Sequence, residues 1–142
     1  MGRNTDPSLD EVIKVSGFDH VGVAVVDTED AVDRFSVFGG LEHQEEFGEM
    51  VVSFVADGDV ELLEPITDDS PVAGFIERYG EGIHHVAFEV SDLERSLGVL
   101  SEKGLCLVDE EPRDGARGKQ VGFVHPSEFH GVLVELCEHR DG

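Results

Sequence analysis

Apolar and polar residues alternate with two different periods along this chain. Residues 19–26 and 84–90 carry β-branched side chains at every second position, which predicts two strands with one buried face. After each run the apolar residues recur at the three- and four-residue spacing of an amphipathic helix. Gly39 and Gly104 then end the two helical stretches. The pattern predicts a strand followed by a helix, twice.

This strand and helix pattern belongs to an internal repeat. Residues 18–40 align with residues 83–105 at an offset of 65 without a gap, and seven of the 23 positions are identical. Asp27 and Asp92 correspond, and each stands where a helix N-cap is expected. Because sequence identity and predicted structure coincide, we interpret the chain as two related modules.

The remainder of each module is predicted to be three further strands. Asp57-Gly58 supplies a hairpin turn signal within the first module. The expected strands are residues 41–47, 49–56 and 60–64 in the first module, and 105–109, 119–125 and 132–137 in the second. The predicted fold is α+β: two βαβββ modules that form a cupped, eight-stranded mixed sheet.

The domain boundaries follow from this division. Residues 1–16 read as a polar N-terminal extension, and residues 17–142 as a single domain. Its modules cover about residues 17–65 and 83–139. The linker, residues 66–82, is expected to contain a short helix that starts at Ser70-Pro71.

Four residues at matching positions of the two modules predict a metal site. His20 corresponds to His85, and Glu61 corresponds to Glu135 within the similar segments Val-Glu-Leu. A single histidine in a strand is more commonly a hydrogen-bonded core residue, and a single glutamate there more commonly faces solvent. Two related modules would bring all four together, and two imidazoles with two carboxylates suit a divalent transition ion. His84 is left out, because strand alternation directs it to the opposite face.

The charge of the chain narrows the classes of partner. It has 32 acidic residues against 10 lysines and arginines, a formal net charge of −22. Nucleic acids and anionic membrane surfaces are therefore not expected as partners. The acidic residues are spread along the chain and lysines are few, which favours adaptation to high salt.

The sequence shows no long apolar run and no apolar leader, so a cytoplasmic location is expected. Cys106 and Cys137 are expected to be buried free thiols.

Several local motifs, in this order, resemble the methylmalonyl-CoA epimerase family of the vicinal-oxygen-chelate (glyoxalase/bleomycin-resistance) superfamily. The resemblance covers residues 18–139. Its motifs are VELLEP at 60–65, DSPVA at 69–73, GEGIHHVAF at 80–88, DEEPR at 109–113, GARGK at 115–119, HP at 125–126 and GVLVELCE at 131–138.

The resemblance implies an isomerase that interconverts (R)- and (S)-methylmalonyl-CoA. It implies a divalent ion, cobalt first and zinc, manganese, nickel or magnesium as alternatives, that holds the substrate and stabilises the enolate formed at C2. His20, Glu61, His85 and Glu135 match the family's ligands, and Glu135 also matches a residue that transfers the proton. The second acid/base glutamate of some members aligns with Val52 here, and the nearby Glu49 should face away, so this second group stays unassigned.

The sequence offers candidates for substrate contacts and leaves two alternative functions. An acyl-CoA carries phosphates, and Arg113, Lys119 and His125 are weak candidates for contacting it. A homodimer is expected, as is common for this fold. A glyoxalase I-like isomerase would use a similar ligand set, and a non-catalytic small-molecule binding protein is the second alternative.

Overall fold

The computed structural model describes residues 12–140, and within them it contains eight strands and three α-helices. The strands are β1 (Val15–Ala24), β2 (His43–Phe47), β3 (Met50–Val55), β4 (Val60–Pro65), β5 (Gly82–Val90), β6 (Arg113–Asp114), β7 (Gln120–Val124) and β8 (Val134–Glu138). The helices are α1 (Thr28–Phe35), α2 (Pro71–Tyr79) and α3 (Leu93–Glu102). Parallel and antiparallel pairs both occur, which confirms the predicted α+β class with a mixed sheet.

The described chain divides into two compact units. The central unit is Asp19–Ala87, and the terminal unit comprises residues 12–18 and 88–140. In the central unit the strand order is β2-β3-β4-β1-β5. β1 runs parallel to β4, while β3 is antiparallel to both β2 and β4. In the terminal unit, the end of β5 is followed by β8, β7 and β6.

The core of each unit is formed by the apolar positions of the periodic pattern seen in the sequence. In the central unit Val25, Ala31, Val55 and Leu62 form a buried cluster between α1 and the strands. In the terminal unit α3 buries a helical face that includes Leu93, Leu97 and Leu100. Burial of these apolar faces holds each helix on its strands.

The repeat is visible in the way the helices begin. Asp27 and Asp92 are N-caps, as predicted, and accept hydrogen bonds from the amides of Asp30 and Arg95. A second carboxylate reaches each helix from a strand. Glu64 accepts from the Thr28 amide at 2.6 Å, and Glu138 accepts from the Leu93 amide at 2.8 Å. Anionic groups at these ends satisfy otherwise free amides and complement the helix dipole.

The predicted strand at residues 105–109 is wrong. Only an isolated bridge between Leu107 and Val124 is present there. The amides of Val108 and Asp109 both point to the Phe123 carbonyl, and the Cys106 amide donates to the Glu128 carboxylate. These irregular partners replace a regular ladder. The short strand β6 pairs with β7 instead.

Other predicted boundaries shift by a few residues. β1 begins at Val15, inside the segment expected to be a polar extension, whereas residues 1–11 lie outside the described part of the chain. The linker helix begins after Ser70, whose side chain accepts from the Val72 amide, as the Ser-Pro signal predicted.

Cys137 is a buried free thiol, but Cys106 is exposed because its segment leaves the sheet. Among residues 12–140 the longest α-helix has ten residues, and none is long and apolar enough to cross a membrane.

Candidate metal centre

Three of the four predicted ligands lie together inside the central unit. His20 is on β1, Glu61 on β4 and His85 on β5, and they are 0%, 6% and 3% exposed. The two Nε2 atoms are 3.1 Å apart. Each Nε2 lies 3.3 Å from Oε1 of Glu61. Two imidazoles and one carboxylate therefore converge in a buried position.

The spacing of these atoms fits a divalent ion. Metal bonds of about 2.1 Å separate two ligand atoms by about 3.0 Å at right angles and by about 3.4 Å in a tetrahedron. The three observed separations fall within this interval. Buried polar groups of this kind require compensation, and a cation between them provides it.

Strand register explains how the three side chains meet. β1 and β4 are parallel neighbours in which Gly22 pairs with Glu61. His20 and Gly22 are two residues apart, so both face the side on which His85 arrives. A Cβ atom at position 22 would lie 2.2 Å from Cε1 of His85. Glycine at this position therefore leaves the space that the His85 imidazole occupies.

Substituting Gly22 by alanine is expected to weaken metal binding about 10- to 100-fold, the range seen when the support of a metal ligand is disturbed. The imidazole of His85 would have to move, because the clash involves its ring atoms rather than a flexible chain end. Competition with a chromophoric chelator measures the loss. Gly17→Ala is the matched control on β1, since a Cβ there meets nothing within 4 Å. Equal affinities of the two variants would contradict this account of Gly22.

The electrostatic environment keeps the donor atoms available. Oδ2 of Asp19 lies 2.6 Å from Nδ1 of His20. An ionised carboxylate only accepts, so Nδ1 carries the proton and Nε2 keeps its lone pair. Burial, the largest single effect, raises the pKa of Glu61, but when the imidazoles of His20 and His85 carry a proton on Nε2, their hydrogen bonds and charge together outweigh it and hold the pKa well below its ordinary value. The Glu61 carboxyl is therefore an anionic donor.

His84 contacts the site, although the sequence pattern excluded it. Its Nδ1 lies 3.0 Å from Nδ1 of His85. Its ring also meets the ring of Phe75 on α2 edge-on, with centroids 5.0 Å apart. Burial, followed by the charge of His85, lowers the pKa of His84 to about 4 against the opposing effect of Glu61, so His84 is neutral near pH 7.

Glu135 lies on β8 of the terminal unit and is 5% exposed. Its setting within that unit repeats the setting of Glu61. Glu61 on β4 has Phe54 of β3 as its antiparallel partner, and Glu135 has Phe123 of β7. Phe54 also packs edge-on against the His20 ring, with centroids 5.9 Å apart. The repeat therefore includes the aromatic neighbours of both glutamates.

The three weaker candidates occupy different environments in the terminal unit. Arg113 is exposed, bonds Asp109 at 3.0 Å and lies over the Phe123 ring at 5.3 Å. Lys119 is buried, with 3% of its surface exposed. His125 is an exposed N-cap that accepts from the Ser127 amide before a short 3₁₀ turn.

The two positions considered for a second proton-transfer group differ in structure. Val52 is 1% exposed on β3. Glu49 precedes β3, follows Gly48 in the turn after β2, and both have positive φ, 62° and 57°. Glu49 is exposed, and it belongs to a hairpin turn rather than to the strand predicted there.

Comparisons with known proteins agree with this architecture. Residues 19–123 match the family model of the glyoxalase/bleomycin resistance protein/dioxygenase superfamily. An uncharacterised protein of Bacillus subtilis, YqjC, is 45% identical over 128 residues, which cover 86% of this chain and 91% of that protein. The mitochondrial methylmalonyl-CoA epimerase of Bos taurus is 40% identical over 141 residues, covering 94% and 80%. A solved variant of Streptomyces coelicolor methylmalonyl-CoA epimerase, in complex with 2-nitronate-propionyl-CoA, has a TM-score of 0.83 at 29% identity, covering 90% and 100%.

Proposed function

The chain belongs to the methylmalonyl-CoA epimerase family of the glyoxalase superfamily, and from this membership we propose that it interconverts (R)- and (S)-methylmalonyl-CoA by proton transfer at C2. The observation that carries the proposal is the buried group of His20, Glu61 and His85, with donor atoms 3.1–3.3 Å apart. Three such donors are costly to bury unless a cation compensates them, which favours a metal-dependent enzyme over a binding protein of this fold without a metal.

We propose one divalent ion per chain, held by His20, Glu61, His85 and, from the other half of the repeat, Glu135. Support for Glu135 comes from its burial and from its Phe123 neighbour, which match Glu61 and Phe54. Imidazole and carboxylate donors suit cobalt, and also zinc, manganese or nickel, while magnesium prefers oxygen. When bound, such an ion stabilises the negative charge that develops on substrate oxygens as a proton leaves C2.

Glu135 is the residue that we propose to remove the proton from one face of C2. A carboxylate within reach of the C2 proton acts as a general base. Glu135 is 5% exposed, so bulk water competes little with the substrate for its carboxylate. Inversion at C2 also requires a proton to be returned on the opposite face; Val52 has no titratable group, so the residue that supplies this proton is not assigned.

The CoA part of the substrate is anionic, whereas the chain carries a net charge of −22. Arg113 and Lys119 therefore remain the proposed phosphate contacts, with His125 beside the turn at Pro126. Arg113 is exposed and bonds Asp109, whereas Lys119 is buried.

Two substrates separate this function from its closest rival. Purified protein loaded with cobalt is assayed for conversion of (S)- to (R)-methylmalonyl-CoA, and in parallel for isomerisation of the hemithioacetal of methylglyoxal and glutathione. We expect turnover of the CoA ester alone. Turnover of the hemithioacetal alone would replace the proposal with a glyoxalase I-like isomerase.

We also propose that the protein is adapted to high salt, and its melting temperature is expected to rise between ~0.1 and ~3 M KCl. Repulsion among 32 acidic side chains is long-ranged at low salt, while screening shortens to ~3 Å at 1 M. Calorimetry in KCl, with sucrose at matched osmolality as the control, separates screening from exclusion effects. A melting temperature that does not change with KCl would contradict the proposal. The cytoplasmic location and the homodimer stay predictions from sequence.

A further inference from the structure

The two histidines of the site have chemically different partners on their second ring nitrogen. Nδ1 of His20 meets the carboxylate of Asp19 at 2.6 Å. Nδ1 of His85 meets another imidazole, that of His84, at 3.0 Å. Outer partners of this kind fix the tautomer and the orientation of a metal-binding histidine.

The tautomers of His84 and His85 follow from this contact. His85 directs Nε2 toward His20 and Glu61. A neutral imidazole that gives the Nε2 lone pair to an ion carries its proton on Nδ1. This Nδ1–H then donates to Nδ1 of His84, which accepts and carries its own proton on Nε2.

Packing holds His84 in the accepting position. Its ring is half-buried and lies edge-on to Phe75, which belongs to α2 of the linker. The rings of His84 and His85 are nearly perpendicular, 87°, with centroids 5.3 Å apart. The linker helix therefore supports His84, and His84 supports His85.

We infer that His84 is a positioning residue of the metal centre, which accepts a hydrogen bond from Nδ1 of His85 and fixes its orientation, in the role that Asp19 has for His20. The inference rests on the metal site of the proposed function and concerns metal binding rather than turnover. It also assigns the linker helix a part in the site, through Phe75.

Two substitutions separate the hydrogen bond from packing. His84→Phe keeps an aromatic ring against Phe75 but removes the acceptor. His84→Asn keeps an acceptor at the position of Nδ1 but removes the ring. His43→Phe, on β2, is the control for loss of an imidazole elsewhere in the central unit.

The experiment is a Co²⁺ titration of the metal-free full-length variants without substrate, followed by visible absorption and by chelator competition. We expect His84→Phe to lower Co²⁺ affinity about 10- to 100-fold and to shift the absorption bands. His84→Asn should recover most of the affinity, and His43→Phe should match the parent. In the zinc-loaded parent, ¹⁵N NMR should show His85 protonated at Nδ1.

Each contrary result has a defined meaning. Parent-like affinity and spectrum in His84→Phe would overturn the inference alone. Equal losses in His84→Phe and His84→Asn, with unchanged circular dichroism and melting, would also overturn it, because the acceptor would then be irrelevant. Failure of the parent to bind Co²⁺ would overturn the inference together with the metal dependence of the proposed function.

Discussion

Replacing Glu135 by glutamine is expected to slow deuterium exchange at C2 of methylmalonyl-CoA by about 10²–10⁴-fold, the usual cost of losing a positioned general base. Glutamine retains the size of the side chain and an oxygen that can bind a metal, but its amide does not take up a proton. The measurement is NMR of the CoA ester in deuterated water at saturating metal, with metal content determined on the same sample.

The repeat supplies the matched control for Glu135. Glu61→Gln makes the same chemical change at the corresponding position, beside Phe54 instead of Phe123. It should weaken metal binding but retain exchange once the metal is saturating. If Glu135→Gln keeps both metal and parent exchange, Glu135 serves as a ligand and the base is another residue. If both variants lose exchange equally at full occupancy, the effect comes from ligand charge.

Removing a histidine ligand is expected to abolish tight metal binding. His85→Ala removes one of the two imidazoles beside the Glu61 carboxylate. The lost Nε2 lies 3.3 Å from Oε1 of Glu61, so the substitution removes one of the three donor atoms of the group. Co²⁺ affinity should fall by more than the ~100-fold typical of changes outside the ligands. Elemental analysis after gel filtration measures the bound ion.

His43→Ala is the control for this substitution, because His43 is a histidine on β2 of the same unit that bonds Glu45 at 2.8 Å. Both variants leave space where a ring stood, so unfolding is followed alongside metal content. Full occupancy in His85→Ala and in the equivalent His20→Ala would remove the basis of the metal site.

Positions within the repeat could be predicted from sequence because a residue in one module has a counterpart in the other, and the two support the same interpretation. A single histidine such as His20 has several ordinary explanations, but its correspondence with His85 selects one of them. The N-caps Asp27 and Asp92 followed in the same way. Local hydrophobic period and matched polar residues were sufficient for these features.

Residues whose role depends on register or on lateral contact were missed. The need for glycine at position 22 arises because the imidazole of His85, on a strand distant in sequence, occupies the space that a Cβ would take. Strand alternation predicts that His84 and His85 face opposite sides, and it carries no information on the contact of 3.0 Å between their Nδ1 atoms. The contact of Asp19 with His20 was missed for the same reason, since a residue adjacent in a strand is expected to face away from His20.

Irregular backbone accounts for the remaining differences. Residues 105–109 have the apolar residues of a strand, but Asp109 accepts from the Phe123 amide and interrupts the ladder. In the turn at Gly48-Glu49, Glu49 has a φ of 62°, a left-handed conformation that is unfavourable for residues other than glycine. Side-chain hydrogen bonds and strained turns of this kind are set by tertiary context, and a periodic pattern does not encode them.

The most direct test of the account is deuterium incorporation at C2 of methylmalonyl-CoA by the parent protein, measured before metal removal, after chelation and after cobalt is restored. Metal-dependent incorporation that accompanies epimerisation is the predicted result: present, lost and regained. Absence of incorporation in protein with one bound ion per chain would contradict the account, as would incorporation that persists when no metal is bound.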